Sequence, residues 1–390
     1  MLDIAQLRAD TPGCANVLHF NNAGASLMPR PVYEALTAHL ALEYRIGGYE
    51  AAAEAAPQLA AMYDDIAALI GAQPGEIAFV ENATRAWDMA FYGLPLQPGD
   101  RILTHGPAEY ASNYLALLHQ ARRRGLEIGL IPSDETGQAD ASAIDALVTP
   151  RTRLIALTHI PTQGGLINPA AEVGRAARRH GLTYLLDACQ SVGQLHIDVG
   201  EIGCDILSTT GRKFLRGPRG TGFLWVRRGL IEKIDPPFID LHAATWTDEE
   251  SFEIAATARR FENWESHVAG RLGLAAAARY AHALGTREIE ARTLSLAAQL
   301  RAALNALPGV ETRDTGARQS GIVTFTKAGH TPPDMVQALR AQSINISDST
   351  AANARFDLGQ RNIPAVARAS VHYFNTENEI DRFTEAVRAF

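Results

Sequence analysis

The stretch YLLDACQSVGQLHIDVGEIGCDILSTTGRKFLRGPRGTGFLWV, Tyr184 to Val226, decides the fold. One apolar run ends in a carboxylate at Asp187. A second closes on Ser208-Thr209-Thr210-Gly211-Arg212-Lys213, and a glycine-rich turn then feeds Gly222-Phe223-Leu224-Trp225-Val226. Short apolar runs bounded by turn residues read as buried strands of a parallel or mixed sheet. Ligands of such sheets bind beyond the carboxyl ends of the strands. Asp187 stands at one such end and Lys213 in a loop just past another, so an acid and an amine share one sheet edge.

Upstream, strand and helix patterns alternate. Arg101–His105, Ile128–Ile131 and Arg153–His159 read as strands. Ser112–Arg124, Ala143–Leu147 and Ala170–His180 read as helices. Such alternation predicts an α/β domain whose mostly parallel sheet is covered on both faces. Ile77-Ala78-Phe79-Val80 followed by Glu81–Ala90 reads as strand, tight turn and helix. That helix start is either an ordinary N-cap by Asn82 or Thr84, or a site where free N–H groups and the helix dipole hold an anion. Two helical patterns, roughly 31–45 and 51–71, flank Gly47-Gly48, which either turn the chain or admit a ligand close to the backbone.

Downstream, Asp235–Phe238 and the polar run Thr245–Ser251 read as an irregular connector near the surface. Long helices follow at 267–285 and 287–306. The tail carries strands at Gly321–Thr326, Ile344–Ser347 and Ala367–Tyr373, a helix at 332–341 and a last helix from Glu377. This pattern divides the chain into a large domain, 16–265, and a small α+β domain, 266–390, on which residues 1–15 pack.

Composition excludes several classes. A chain of 390 residues with 46% hydrophobic content can bury a large core. A net charge of −7 gives no basic footprint for nucleic acid or an anionic membrane surface. No apolar run approaches the ~20 residues that span a bilayer. The first residues, Met1-Leu2-Asp3-Ile4-Ala5-Gln6, lack the basic region and apolar core of a secretory signal. The expectation is a soluble cytoplasmic protein. Three scattered cysteines, Cys14, Cys189 and Cys204, make neither a disulfide frame nor a zinc site, and no metal is expected. A dinucleotide GxGxxG fingerprint and a GxxxxGK[ST] phosphate loop are both missing, which removes most support for nicotinamide and ATP chemistry.

A lysine amine forms Schiff bases with carbonyl compounds, pyridoxal phosphate among them. That cofactor asks for a lysine at its aldehyde, an acid opposite its ring nitrogen and an anion site for its phosphate. Lys213, Asp187 and the Asn82–Arg85 turn can supply the three. Each alone has a plainer reading, as a solvated loop lysine, a turn cap and a helix cap. Their joint occurrence in this order favours the cofactor.

These segments resemble the class V aminotransferase family of fold-type I pyridoxal phosphate enzymes, over nearly the whole chain from Asn22-Ala23-Gly24 to Arg368–Thr376. The specific part is Asp187-Ala188-Cys189-Gln190 with Thr210-Gly211-Arg212-Lys213 and Gly217-Pro218-Arg219-Gly220-Thr221-Gly222. The resemblance implies a large domain with a mostly parallel seven-stranded sheet and a small α+β domain. It also implies that Lys213 forms the Schiff base and moves the substrate's Cα proton. Asp187 would pair with the ring nitrogen and Gln190 hydrogen-bond the phenolic oxygen. Ala83, Thr84 and Thr210 would cradle the phosphate, with Arg212 as a further candidate. Within Glu109-Tyr110-Ala111-Ser112-Asn113, Tyr110 takes the place where cysteine desulfurases stack an imidazole on the ring, a role a phenol can fill. Arg368 would grip the substrate carboxylate in a two-pronged salt bridge, beside Asn22 and Ala23. Enzymes of this fold are usually homodimers with the site at the interface, and a homodimer is expected.

The departures bear on function. Cysteine desulfurases and selenocysteine lyases are most similar in the tail, Arg368 to Asp381. Desulfurases take sulfur onto a cysteine in the loop before that arginine, yet Asp348–Asp357 contains none. The three cysteines read as small apolar packing residues. The family's histidine before the lysine is Arg212, which adds positive charge near the phosphate or the substrate. Shorter similarities, in Gly47-Gly48-Tyr49, Glu109-Tyr110 and Arg260-Phe261-Glu262, point to the sulfoxide lyase of ergothioneine biosynthesis and to isopenicillin N epimerase-like proteins. The implied activity is a lyase that cleaves a C–S bond of a cysteine-derived amino acid by β-elimination without a catalytic cysteine. An aminotransferase, an epimerase and a catalytically silent relative are the alternatives. The family's cross-subunit phosphate ligand falls near Asn263–Val268, where this sequence departs from the pattern.

Overall fold

The computed structural model describes residues 2–390; Met1 lies outside the described residues. The chain opens with helix α1 (Ile4–Ala9) and a two-residue strand β1 (Leu18–His19), then α2 (Arg30–Ile46), α3 (Gly48–Glu54) and α4 (Ala56–Ile70). Strands β2 (Ile77–Val80), β3 (Arg101–Thr104), β4 (Glu127–Leu130) and β5 (Thr152–Thr158) come next. Helices α5 (Ala83–Gly93), α6 (Ala111–Arg124) and α7 (Ile144–Leu147) lie between them, and α8 (Ala170–Arg179) follows. The stretch quoted above supplies β6 (Thr183–Asp187), α9 (Val199–Ile202), β7 (Ile206–Thr210) and β8 (Gly222–Val226).

Seven of these strands form one sheet in the order β2-β8-β7-β6-β5-β3-β4. All neighbours are parallel except β8, which runs antiparallel to both β2 and β7. Alternation sends successive residues to opposite faces. Tyr184 and Leu186 join a core with α4 and α8, and Leu185 joins a second core with α5 and α6. Register aligns Thr158 and Asp187, at the carboxyl ends of β5 and β6, with Ser208 in the middle of β7. Thr210 pairs with Gly222, where a Cβ would stand 2.5 Å from the Thr209 carbonyl, so glycine lets β8 close on the strand that precedes Lys213.

After α10 (Arg228–Ile231), strands β9 (Ala244–Asp248) and β10 (Ser251–Ile254) make an exposed antiparallel hairpin, with Phe252 opposite Trp246. This corrects the irregular connector expected there: Trp246 and Phe252 face each other across two short strands, a pairing that stabilises a hairpin even when exposed. The single helix expected over 51–71 is likewise two, α3 and α4. Pro57 in the first turn of α4 has no N–H to give and its ring blocks a continuing helix.

Helices α11 (Val268–Leu284) and α12 (Thr286–Asn305) lead to β11 (Val310–Thr312), β12 (Ile322–Lys327), α13 (Pro332–Ala341), β13 (Ile344–Asn345), β14 (Ser347–Thr350), β15 (Ala365–Ser370) and α14 (Glu377–Arg388). A four-stranded antiparallel sheet of order β11-β12-β15-β14 packs on α12, α13 and α14 around a third core. The boundary expected at residue 265 falls ahead of α11, but α11 packs on α2 and α4 and its alanines belong to the first core. The packing changes over within α12. Ile289 joins the first core, while Leu296, Leu300 and Leu304 join the third. The N-terminal segment touches both: Leu7 lies in the first core, and Arg8 pairs with Glu379 of α14 at 2.9 Å. Among the described residues no helix is long and apolar enough to cross a membrane.

Arg216, three residues past Lys213, ties these parts together. It is buried with a left-handed φ of 64°. Its guanidinium donates to the Leu27 carbonyl (2.9 Å), the Tyr373 hydroxyl (2.7 Å) and the Thr11 hydroxyl (2.6 Å), and it lies 4.3 Å from the Phe374 ring centroid. Arg216→Met leaves those buried acceptors without their donor. It is expected to lower unfolding free energy by about 2–4 kcal/mol in urea titrations; an unchanged midpoint would show that the guanidinium holds nothing in place.

Candidate functional site

Several elements deliver polar side chains to one cavity at the carboxyl edge of the large sheet. Strand β6 ends in Asp187, buried at 4% exposure. Its Oδ2 accepts Asn113 Nδ2 at 2.7 Å and its Oδ1 accepts the Cys189 N–H at 2.8 Å. Strand β7 ends in Thr210, and Lys213 follows in the turn, with its amine buried in the same cavity. Burial lowers the Lys213 ammonium pKa. Arg212 and Arg368 push it the same way, and the Asp187 carboxylate pulls it back.

Helix α5 presents its N-terminus to the cavity. Asn82 caps it by accepting the Arg85 N–H at 2.9 Å. The amides of Ala83 and Thr84, in the first turn, have no intrahelical partner. Both residues line the cavity together with Thr210 and Arg212. Arg212 is half-buried and donates to the Gly24 carbonyl. Tyr110 forms another wall, its ring centroid 5.9 Å from Lys213 Nζ.

The small sheet contributes Arg368 from the middle of β15, paired with Thr324 on one side and Ser347 on the other. Its guanidinium donates to the Thr162 carbonyl (2.9 Å), the Thr162 hydroxyl (2.8 Å) and Asn21 Oδ1 (3.4 Å), while its buried Nε has no partner. Burial presses its pKa down to about 10, so it remains a cation at neutral pH. Gln190 donates to the Ala23 carbonyl and the Thr162 hydroxyl, both at 3.2 Å, and its buried Oε1 is also unpartnered.

Lys213, Asp187, Ala83, Thr84, Tyr110, Gln190, Thr210 and Arg212 therefore converge on one cavity. Arg368 meets it through Thr162. Asn22 stands apart: its side chain is buried inward, donating to the Ser370 carbonyl at 2.7 Å and accepting the Ser26 hydroxyl at 2.6 Å. Its neighbour Asn21 faces Arg368 instead. Ala23 takes part only through its carbonyl oxygen. Cys204 is buried in the first core and Cys14 packs against that core, as expected of packing residues. Cys189 differs, for it lines the cavity beside Asp187. Burial, reinforced by the Asp187 carboxylate, holds its thiol well above the ordinary range, so it is neutral.

Sequence reasoning passed over Asn113, Thr158 and Thr162. None of the three carried a clear signal, since Glu109 lies before the N-cap of α6 with extended backbone and helical spacing does not pair it with Asn113. Chemically, the cavity offers an anion cradle at a helix start, a buried amine, a buried acid and an arginine with free donors. Two buried polar atoms, Gln190 Oε1 and Arg368 Nε, lack partners and fit a polar ligand carrying an anionic group.

The sequence model of the family described as Aminotransferase class-V matches residues 18–383. A probable cysteine desulfurase of Xylella fastidiosa is 31% identical over 404 residues, covering 99% of this chain and 95% of its own. One from Methanothermobacter thermautotrophicus is 28% identical over 388 residues, covering 98% and 96%. Among solved structures, the apo cysteine desulfurase of Thermococcus onnurineus NA1 is similar at TM-score 0.92 and 27% identity, covering 100% of this chain and 98% of its own. The cystine C–S lyase C-DES, in complex with its product cysteine persulfide, is similar at TM-score 0.87 and 27% identity, covering 97% and 99%.

Under the cavity, Glu109 is a buried carboxylate whose pKa burial raises from 4.5 to about 7, against hydrogen bonds from Thr158, Thr104 and Asn113 that lower it. The folded protein thus holds a proton that the unfolded chain releases between those values, and this group's contribution to stability falls as pH rises through that window. Glu109→Gln removes the titration. The Tm of the cofactor-free variant relative to wild type is expected to climb on the order of 2 to 5 °C between pH 5 and 8. A difference that stays flat with pH would contradict a buried, titrating carboxyl.

Proposed function

The chain belongs to the aminotransferase class-V family, and from that premise we propose that it is a pyridoxal phosphate-dependent C–S lyase. It would act on a cysteine-derived amino acid by β-elimination, without a catalytic cysteine. The observation that carries the reading is the buried amine of Lys213 sharing one cavity with Asp187, the α5 N-terminus and the Arg368 side of the small sheet. The similarity to cysteine desulfurases and to a cystine C–S lyase supports the bond that is cut.

Lys213 would hold the cofactor's aldehyde carbon, Asp187 its ring nitrogen, and the Ala83 and Thr84 amides with Thr210 and Arg212 its phosphate. Tyr110 would cover one face of the ring and Gln190 meet its phenolic oxygen. When bound, pyridoxal phosphate supplies an electron sink for the pair left at the substrate's Cα. Arg368 binds the substrate carboxylate with the Nε and Nη2 donors that Thr162 leaves free, and so orients the Cα–H bond. The substrate's amine would first replace Lys213 at the aldehyde carbon; the freed Nζ, whose pKa burial lowers, would then take the Cα proton as general base. Asp187, held as an acceptor by Asn113 and the Cys189 N–H, would keep a proton on the ring nitrogen. Loss of the Cβ–S bond then releases the sulfur product, and water completes conversion of the remainder to pyruvate and ammonia.

The segment that bears the sulfur-accepting cysteine in desulfurases supports the cysteine-free reading. Residues 351–363 contain no cysteine. Ala354, Leu358 and Ile363 fold onto Val366 as a small cluster, and the Phe356 ring packs edge-on against Tyr114 at 4.9 Å. The segment is a docked wall rather than an arm carrying a nucleophile.

A homodimer is part of this proposal. Tyr44 and Tyr49 are 93% and 78% exposed, and Tyr49 and Trp264 border a cleft of about 970 Å³. Exposed aromatics around a large cleft suit a second copy of the chain. Sedimentation is expected to give a dimer that Tyr44→Asp with Tyr49→Asp weakens; a monomer at micromolar concentration would argue against it.

Incubation with cystine, cysteine, cysteine sulfoxides and glutamate tests the reaction. Pyruvate and ammonia in equal amounts are expected from at least one sulfur amino acid. Lys213→Ala should lower that rate by about 10²–10⁴-fold, and Cys189→Ala should keep it within about threefold. Production of 2-oxoglutarate from glutamate with no pyruvate from any sulfur substrate would make the enzyme a transaminase. A Cys189→Ala loss as large as that of Lys213→Ala would overturn the cysteine-free reading.

A further inference from the structure

Glu109 does not itself line the cavity, yet it accepts hydrogen bonds from three residues that do, Tyr110, Asn113 and Thr158. Its Oε1 accepts the Thr158 hydroxyl (2.6 Å), the Tyr110 N–H (2.9 Å) and Asn113 Nδ2 (3.1 Å), and its Oε2 accepts the Thr104 hydroxyl (2.7 Å). All four donors are uncharged. Asn113 Nδ2 also donates to Asp187 Oδ2 at 2.7 Å. One amide nitrogen thus gives a hydrogen to each of two buried carboxylates.

We propose that Glu109 and Asn113 are positioning residues that fix the Asp187 carboxylate and the Tyr110 ring together, setting the edge and the face of the cofactor ring from one buried anchor. The proposal rests on the pyridoxal phosphate reading of the site. Asn113 presents either NH₂ or oxygen to Asp187 according to how its amide is turned. With Glu109 Oε1 beside it, already an acceptor for Thr158 and the Tyr110 N–H, the turned amide would set its oxygen against two acceptor oxygens, so only the NH₂-inward orientation is tolerated. Asp187 Oδ2 is thereby held by Asn113 and Oδ1 by the Cys189 N–H, which fixes the carboxylate's plane and leaves a lone pair on each oxygen for the ring nitrogen. At the same anchor, the Tyr110 N–H bond to Glu109 Oε1, seconded by Thr158 Oγ1 at 3.3 Å, fixes the backbone that aims the phenol into the cavity. Thr158 is the register partner of Asp187 on the neighbouring strand, so the anchor is built into the sheet.

The test uses the enzyme loaded with pyridoxal phosphate and compares wild type with Asn113→Ala, Glu109→Ala and Glu109→Gln. Glutamine can keep an oxygen where Oε1 accepts its three donors, so it separates the hydrogen bonds from the charge. Asn113→Ala and Glu109→Ala are expected to bind cofactor through Lys213 but to move the pH midpoint of its visible absorbance by about one unit. Their kcat should fall about 10- to 100-fold with KM changed less than about threefold. Glu109→Gln should recover kcat to within about threefold of wild type. The proposal is overturned if Asn113→Ala keeps the wild-type midpoint and kcat, if its losses only track the fraction of folded protein, or if Glu109→Gln is as impaired as Glu109→Ala. Should Glu109→Ala fail to fold, Asn113→Ala and Glu109→Gln decide alone. An absorbance in wild type that Lys213→Ala does not abolish is a failure of the cofactor reading. A Lys213-dependent absorbance that Asn113→Ala and Glu109→Ala both leave unmoved is a failure of this proposal.

Discussion

Asp187 ends a strand that is buried from Tyr184 onward, and two short hydrogen bonds, from Asn113 and from the Cys189 backbone, hold its carboxylate there. An ionised carboxyl in such a place is costly unless donors and a counter-charge meet it. The donors come from α6 and from the turn after β6. That fixes which helix must cover this end of the sheet and which way its first turn faces. The counter-charge is what a protonated ring nitrogen provides. The rest of the cavity is arranged around that one axis, with the amine of Lys213 reaching it from the end of the next strand.

In the proposed reaction the substrate's carboxylate would be held from outside the large sheet. Arg368 lies on β15, an inner strand of the small sheet, and reaches Thr162 and Asn21 in loops of the large unit. The segment around residue 20 is stitched to the small unit by pairing of Leu18 with Ile344 and of Asn21 with Ser370. The two halves of the site are thus coupled through backbone hydrogen bonds. Arg216 buries a further tie just beneath Lys213. Three cations, Lys213, Arg212 and Arg368, influence one another, so an anionic ligand is favoured there.

The alternation of strands and helices and the convergence on Asp187 and Lys213 were legible because parallel strands buried on both faces write themselves as apolar runs, and their carboxyl ends gather polar residues. Thr84 could be placed because it begins a helix after a strand, whereas Tyr110 was placed only by the family resemblance. The hairpin at Ala244–Ile254 was not legible: its strands are exposed and polar, and only the Trp246–Phe252 pair marks it. Asn22 was misread as a pocket residue because sequence does not say which of two adjacent asparagines turns outward. The packing of Ser26 and Ser370 decides that. Cys189 resembled a packing residue by type, and the turn after β6 rather than its chemistry brings it to the cavity wall. The alliance of Glu109 with Asp187 spans separate elements, and only the folded chain brings them within reach of one amide.

The central claim is a covalent one, that an aldehyde cofactor is carried by the amine of residue 213 with Asp187 at the far side of its ring. Borohydride reduction of the holoprotein followed by peptide mass mapping tests it most directly. The account predicts a pyridoxyl-phosphate adduct on the peptide containing Lys213 and on no other. An adduct on Lys233 or Lys327, or none in a protein that retains its cofactor, would contradict it.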